Sequence, residues 1–252
     1  MQLNKIMLSA TLCLTALLTT SCLNSTIHLG NGRGKKIEPS KNIVEKVYEQ
    51  PNFDKLEAKL VANVKIIQSA TDGHRVVMRC PDNYVELFEF RVEEGELKLD
   101  FADKDVNIEA ADVKILVYTP SLRKIENNGV AMIKTDSLRA DNLEVDNDGV
   151  GSIKLNGLVM GHIDCELSGV GNIELQGTAD EVTLENSGVG SIEADGLKAT
   201  AVRAEVSGVG SVRCWASERL KGEVSGVGSL KYGGNPAEKK LHRTGVGKIS
   251  TL

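Results

Sequence analysis

Apolar and polar positions alternate along most of this chain, and from residue 128 onward the alternation is organised by a recurring phrase. The phrase occupies residues 128–133, 148–153, 168–173, 187–192, 207–212, 225–230 and 244–249. Its lead glycines, Gly129, Gly149, Gly169, Gly188, Gly208, Gly226 and Gly245, stand 20, 20, 19, 20, 18 and 19 residues apart. A valine follows every one of them. Four residues after the glycine comes Ile133, Ile153, Ile173, Ile192, Val212, Leu230 or Ile249. Four before it comes Ile125, Val145, Cys165, Leu184, Ala204, Gly222 or Leu241, and six before it, in the five middle copies, Leu143, Ile163, Val182, Val202 or Leu220. Polar residues fill the gaps, which is strand periodicity. Two short strands therefore flank each phrase, and the glycines, free of a Cβ, mark the corner between them.

One copy holds too few apolar residues to bury a face alone. Stacking the copies at a strand spacing of about 4.8 Å lets each Ile rest on the next. The sequence thus predicts an all-β, single-stranded parallel β-helix of about seven rungs, each 18–20 residues long. Propeller blades and helical repeats need longer periods. The Leu-x-x-Leu-x-Leu phrase of leucine-rich repeats and the Gly-Gly-x-Gly-x-Asp phrase of calcium-binding β-helices are both absent.

Residues 41–122 have no such phrase and read as a β-rich cap leading into repeats over 123–252. An alternating stretch runs from Phe53 to Ile67, a turn follows at residues 71–74, and further strands are predicted at 75–79, 84–92, 97–101 and 113–119. These hairpins are expected to cover the N-terminal end of the solenoid, whose strand edges would otherwise be unpaired. The C-terminal end shows no evident cap and is expected to offer a contact surface to a second copy.

The first 40 residues are an address and a spacer. Lys5, the apolar run from Ile6 to Leu18 and the small residues before Cys22 have the order of an export signal. The apolar run is too short to span a bilayer. Cys22 resembles the lipidated cysteine of a bacterial lipobox, although Leu18 stands one place early. Residues 1–22 are read as a lipoprotein signal peptide and 23–40 as a flexible polar tether. The expectation is an exported protein, lipid-anchored to the outer membrane, with its periplasmic or surface orientation open.

Composition narrows the function classes. Aromatics are only 4%, which suits an interior of stacked Val, Ile and Leu. The net charge is −5 and no basic run is long enough for a nucleic-acid stripe, so no nucleic-acid partner is expected. Beyond Cys22, Cys80, Cys165 and Cys214 lack metal-ligand spacing and read as small buried hydrophobes.

The candidate chemistry lies three residues before each lead glycine, at Glu126, Asp146, Glu166, Glu185, Glu205 and Glu223, with His242 last. These side chains should point outward and stack like charge on like charge. Basic residues gather towards the two ends, so Glu144, Asp164, Glu166, Glu174, Glu185 and Glu193 stand out as an acidic middle, a candidate face for a cationic ligand or a weakly held divalent cation. No resident cofactor is expected. Serines before and after the glycine phrase read as hydrogen-bonding corner ladders, with glycan contact as the alternative. His74, His162 and His242 stand in no nucleophile motif, His162 beside Gly161 at an expected turn, and short repeats leave no loops to wall a cleft. A non-enzyme is expected, with a polysaccharide-active enzyme as the third-ranked reading.

Taken together, Phe53-Asp54-Lys55-Leu56, Gly95-Glu96-Leu97, the segment 117–122 and the Asn128-Gly129-Val130 repeats resemble the head GIN domain family of auto-transporter adhesins, common among Bacteroidetes lipoproteins. The resemblance covers roughly residues 45–252. It implies a β-helical fold and an adhesin role and brings no catalytic residues. One departure is that Leu23-Asn24-Ser25-Thr26 carries no acid after Cys22, whereas surface-exported lipoproteins of that phylum often do. The leading expectation is a membrane-anchored binding module for a glycan or protein ligand. Its alternative is a periplasmic or outer-membrane scaffold, a homo-oligomer joined through the open C-terminal rung.

Overall fold

The repeat phrases stack in register, as their spacing requires. The computed structural model describes residues 35–103, 106–108 and 113–252. The export signal and Cys22 lie outside the described residues. In the repeats, β10 (Lys124–Asn127), β11 (Val130–Thr135) and β12 (Leu138–Asn147) lead into four long strands that each wrap a whole coil: β13 (Val150–Leu167), β14 (Val170–Asn186), β15 (Val189–Val206) and β16 (Val209–Val224). The strands β17 (Val227–Gly233), β18 (Glu238–Arg243) and β19 (Lys248–Thr251) finish the rod. Every pairing among these strands is parallel, for instance Ile153↔Ile173 and Ile173↔Ile192. This is a β-solenoid of about six turns.

In the four long coils the backbone breaks strand geometry only at the residue pair ending in each lead glycine, and there the corner is tight. A Cβ on Gly169 would lie 2.2 Å from the Gly149 carbonyl oxygen of the coil beneath, so no larger residue fits. Register slips between Leu155 and Leu158, and between Glu174 and Gln176, mark a second bend on the other side of each coil.

The predicted interior columns are buried. Ile133, Ile153, Ile173, Ile192, Val212 and Leu230 form one, and Leu143, Ile163, Val182, Val202 and Leu220 another. Between them runs a column that periodicity did not single out: Asn127, Asn147, Leu167, Asn186, Val206 and Val224. Its asparagines are fully buried. Asn127 Nδ2 donates to Asn147 Oδ1 at 2.7 Å, and Asn186 Nδ2 donates to the Gly190 carbonyl at 3.0 Å, closing the corner from inside.

The cap contains more solenoid than its sequence suggests. Strands β3 (Lys55–Ala58) and β4 (Val61–Gln68) pair in parallel with β10 and β11, matching Leu56 to Ile125 and Val64 to Ile133. Residues 55–66 are thus a repeat copy in which Leu60 replaces the lead glycine. Beyond it lies one further coil, made by β7 (Glu96–Phe101) and β9 (Lys114–Thr119). Antiparallel strands β6 (Phe88–Glu93), β5 (Arg75–Pro81) and β2 (Ile43–Glu49) close that end. In chain order the cap's second coil comes before the outermost one, and the chain then returns to stack β10 on the open side of β3.

Two expectations for this region are corrected. The predicted strand over 84–92 begins as a 3-10 turn, Asp82–Leu87, because Tyr84 turns inward and its hydroxyl donates to the Ile37 carbonyl at 2.8 Å. The segment read as tether ends in a strand, β1 (Lys35–Ile37), parallel to β8 (Val106–Ile108). Ser40 is tied down as well, its amide donating to Asn83 Oδ1 at 3.0 Å.

Candidate functional site

The outward columns of the coils make the surface, and register fixes which side chains meet. Along the strand that precedes each glycine corner, Glu57, Glu126, Asp146, Glu166, Glu185, Glu205, Glu223 and His242 follow one another rung by rung. This is the predicted carboxylate ladder. Two residues earlier on the same face run Lys124, Glu144, Asp164, Thr183, Arg203, Lys221 and Lys240. The sign of the second column reverses at Thr183, so the face is acidic in its middle and mixed, with many cations, near the C-terminal end.

Lys124 compensates the first acidic rungs. Its ammonium lies 2.7 Å from Glu144, 3.0 Å from Asp146 and 3.2 Å from Glu126. One cation shared by three carboxylates stays protonated well above the usual lysine range and holds the Glu144 carboxyl below the ordinary range. Asp146 goes the other way: burial, reinforced by Glu144, outweighs Lys124 and raises it to about 6. One rung on, burial and the neighbouring Glu185, Asp148 and Asp164 charges raise Glu166 too. Among the described residues, Asp164, Glu166 and Glu185 have no ion-pair partner.

The six residues expected to form one acidic face divide between two. Glu144, Asp164, Glu166 and Glu185 share the face before the corner. Glu174 and Glu193 pair with each other on the strand after it, and Glu174 is held by Lys154 at 2.7 Å. Parity along the strand put all six outward correctly, but it did not show that a corner separates them. Among the described residues no group of three or more His, Cys, Asp or Glu side chains is arranged to hold a metal ion, so the divalent-cation expectation finds no site.

The same face carries a concavity that the sequence reading missed. A trough of about 290 Å³ lies over Val182, Val202 and Leu220, with His162, Arg203, Arg219, Lys221 and Lys240 along its sides. A second hollow of about 510 Å³, between Arg139 and Asp180, adjoins it, since Gly161 and Asp180 line one and His162 and Glu181 the other. His162 is half-buried within the continuous strand β13 and not at a turn. Within the trough Arg219 reaches Glu181 at 3.5 Å and Lys240 reaches Glu238 at 2.8 Å, while Lys221 has no ion-pair partner among the described residues.

Past the corner the valines turn outward. Val150, Val170, Val189, Val209 and Val227 stack in register at 48–56% exposure. Exposed serines flank them on one side, Ser168, Ser187, Ser207 and Ser225. The other side carries half-buried Ser152, Ser191, Ser211 and Ser229.

The fold matches known proteins. Residues 52–236 match the family described as "Putative auto-transporter adhesin, head GIN domain". The chain belongs to this family. A crystal structure described as a putative adhesin from Bacteroides fragilis NCTC 9343 is 35% identical, covers 86% of this chain and 100% of its own, and superposes with a TM-score of 0.83. A structure described as a putative lipid binding protein from Parabacteroides distasonis ATCC 8503 shares the fold at 19% identity and a TM-score of 0.73, covering 86% of this chain and 100% of its own. One described as a putative adhesin from Parabacteroides merdae ATCC 43184 does so at 17% and 0.67, covering 86% of this chain and 99% of its own. No curated protein matches this sequence.

The thiols of this head GIN domain are structural. Cys80, Cys165 and Cys214 are free and buried. Burial pushes Cys165 far above the ordinary thiol range and Cys214 up to about 12.

Proposed function

We propose that this chain is a non-catalytic binding module of the bacterial cell envelope, an adhesin-type rod that holds an extended, charged ligand along its lateral face. The observation that carries this reading is the trough beside the two charged columns. It is shallow, it follows the rod across successive rungs from Arg139 to Lys240, and charged side chains line it. A ligand with a regular repeat, such as a charged glycan, would cross one rung at each strand spacing of about 4.8 Å and meet Arg203, Lys221 and Lys240 in succession. A cleft enzyme would instead need converging loops and a positioned nucleophile and base. His74 is engaged with the Phe53 carbonyl and ring, far along the cap from the trough.

The family description and the adhesin label of the 35%-identical relative support the reading. Anchorage belongs to the same proposal: Cys22 would carry the acyl chains, and residues 23–34 would span the gap to β1. Binding to arrays of charged glycans and matrix proteins tests the ligand class. Wild-type binding that is lost in Arg203→Ser/Lys221→Ser is the expected result, and binding unaffected by that double substitution would refute the assignment of the face. Protease treatment of intact cells tests location: cleavage while a periplasmic control survives is expected of an adhesin, and full protection would reduce the proposal to a periplasmic binding role.

A further inference from the structure

The C-terminal end of the rod looks open in the sequence, yet register reveals what its last coil presents. In β18, Lys239 pairs with Leu220, Leu241 with Gly222 and Arg243 with Val224. In a parallel in-register pair, matched residues face the same way. Leu220, Gly222 and Val224 all face the core. The last coil therefore puts exposed Lys239 on a column that the five repeats before it fill with apolar residues, and exposed Arg243 on one filled with apolar residues or buried asparagine.

The remaining contacts fold the end inward. Leu241 drops into the space that Gly222 leaves empty: a Cβ there would lie 2.9 Å from Leu241 Cδ2 and 2.5 Å from Leu230 Cδ2. On the opposite side Leu252 does the same over Gly233, its Cδ1 standing 2.9 Å from where a Cβ would be, beside Trp215. Arg243 Nη1 donates to the Gly247 carbonyl at 2.8 Å, tying the last corner to the last inward column. Leucine in the last coil thus overlies glycine in the coil before it, with Leu241 39% and Leu252 51% exposed at the end of the rod.

We propose that this last coil is a built-in stop, which prevents a second copy from continuing the solenoid through its end. Among the described residues, strands β18 and β19 each have one unpaired edge, the usual template for edge-to-edge association, and inward-pointing charges are a recognised way to blunt such an edge. Stacking another coil here would bury Lys239 and Arg243 against apolar side chains with no counter-ion, and burying an unpaired charge is strongly unfavourable. The inference is independent of what the lateral face binds, and it weighs against a scaffold joined through this end.

The test compares three forms of the purified full chain by sedimentation velocity over a wide concentration range, with circular dichroism confirming equal folding. Lys239→Val/Arg243→Val restores the apolar columns, and Lys239→Glu/Arg243→Glu keeps them charged. The expected result is a rise in weight-average mass to at least twofold for the valine variant only. A valine variant whose mass matches wild type at every concentration would overturn the proposal. So would a wild type that self-associates and is dissociated by the glutamate pair.

Discussion

The corner glycines make the sharpest quantitative prediction, because the structure separates two penalties that substitution usually mixes. Gly95 sits at φ +75°, and an added Cβ would find nothing closer than Asp54 Oδ1 at 3.8 Å. Its replacement by alanine costs only the left-handed backbone, about 1 kcal/mol. Gly149 has no positive φ, but a Cβ would stand 2.1 Å from the Gly129 carbonyl oxygen, against an ordinary contact of 3.4 Å or more. Adjacent coils would have to part by more than an ångström there, straining the bond from the Val150 amide to that same Gly129 carbonyl, 2.9 Å long. Overpacking of this kind costs about 1–3 kcal/mol. Gly190 combines both, with φ +144° and a Cβ only 1.8 Å from the Gly171 carbonyl oxygen, and Gly190→Ala should cost about 2–4 kcal/mol, the two effects added. Urea titration followed by far-UV circular dichroism measures all three as midpoint shifts at a common slope. The order Gly95→Ala, then Gly149→Ala, then Gly190→Ala should be one of increasing loss. A Gly149→Ala midpoint no lower than that of Gly95→Ala would refute the claim that carbonyl proximity between coils fixes these glycines.

Further outcomes follow from the ladders. Asp146 is raised in the folded state, so its contribution to stability is fully present below its unfolded pKa near 3.8 and is lost as pH rises through about 6; Asp146→Asn should remove that decline between pH 4 and pH 7 in thermal melts. Lys124→Met leaves three carboxylates without their shared cation, and its loss of melting temperature should be larger at pH 7 than at pH 4, where Asp146 is protonated. Asn147→Leu alone strands the Asn127 donor and should cost about 1–3 kcal/mol, whereas Asn127→Leu/Asn147→Leu should be close to neutral in the same urea assay, since Leu167 already fills this column one coil on. Thiol reagents should label Cys80, Cys165 and Cys214 in urea and leave Cys165 and Cys214 unlabelled in buffer, because both thiols are buried and held protonated.

The repeats were legible because their physics is local and periodic: burial at every second position writes itself into columns such as Ile153, Ile173 and Ile192. Legibility failed where a column broke its own rule. The copy at residues 55–66 escaped because Leu60 stands at the glycine position, which removes the phrase but keeps the spacing of Leu56, Val61 and Val64. The inward turn of Tyr84 depends on a carbonyl 47 residues away, which no local pattern encodes. The acidic residues were assigned correctly to the outside, but whether Glu166 and Glu174 share a side depends on the corner between them. The trough needed the bend of the coil, which shows in the sequence only as irregular spacing around Gly157, Gly177 and Gly196. The charge of Lys239 was the most readable of the missed features, since it continues the counted column that ends at Leu220, whereas Arg243 continues the column that periodicity did not single out.

The backbones of coils β13, β14 and β15 each pair with the coil above and the coil below, through the same columns. One complete period can therefore be removed, for example residues 169–187, and the flanking coils still present matching columns to each other. The rod would shorten by one strand spacing, about 4.8 Å, with both of its ends unchanged. Reach is thus a quantity this architecture sets in whole steps. Relatives can become longer or shorter by duplicating or losing a single exchangeable unit, without redesigning a core.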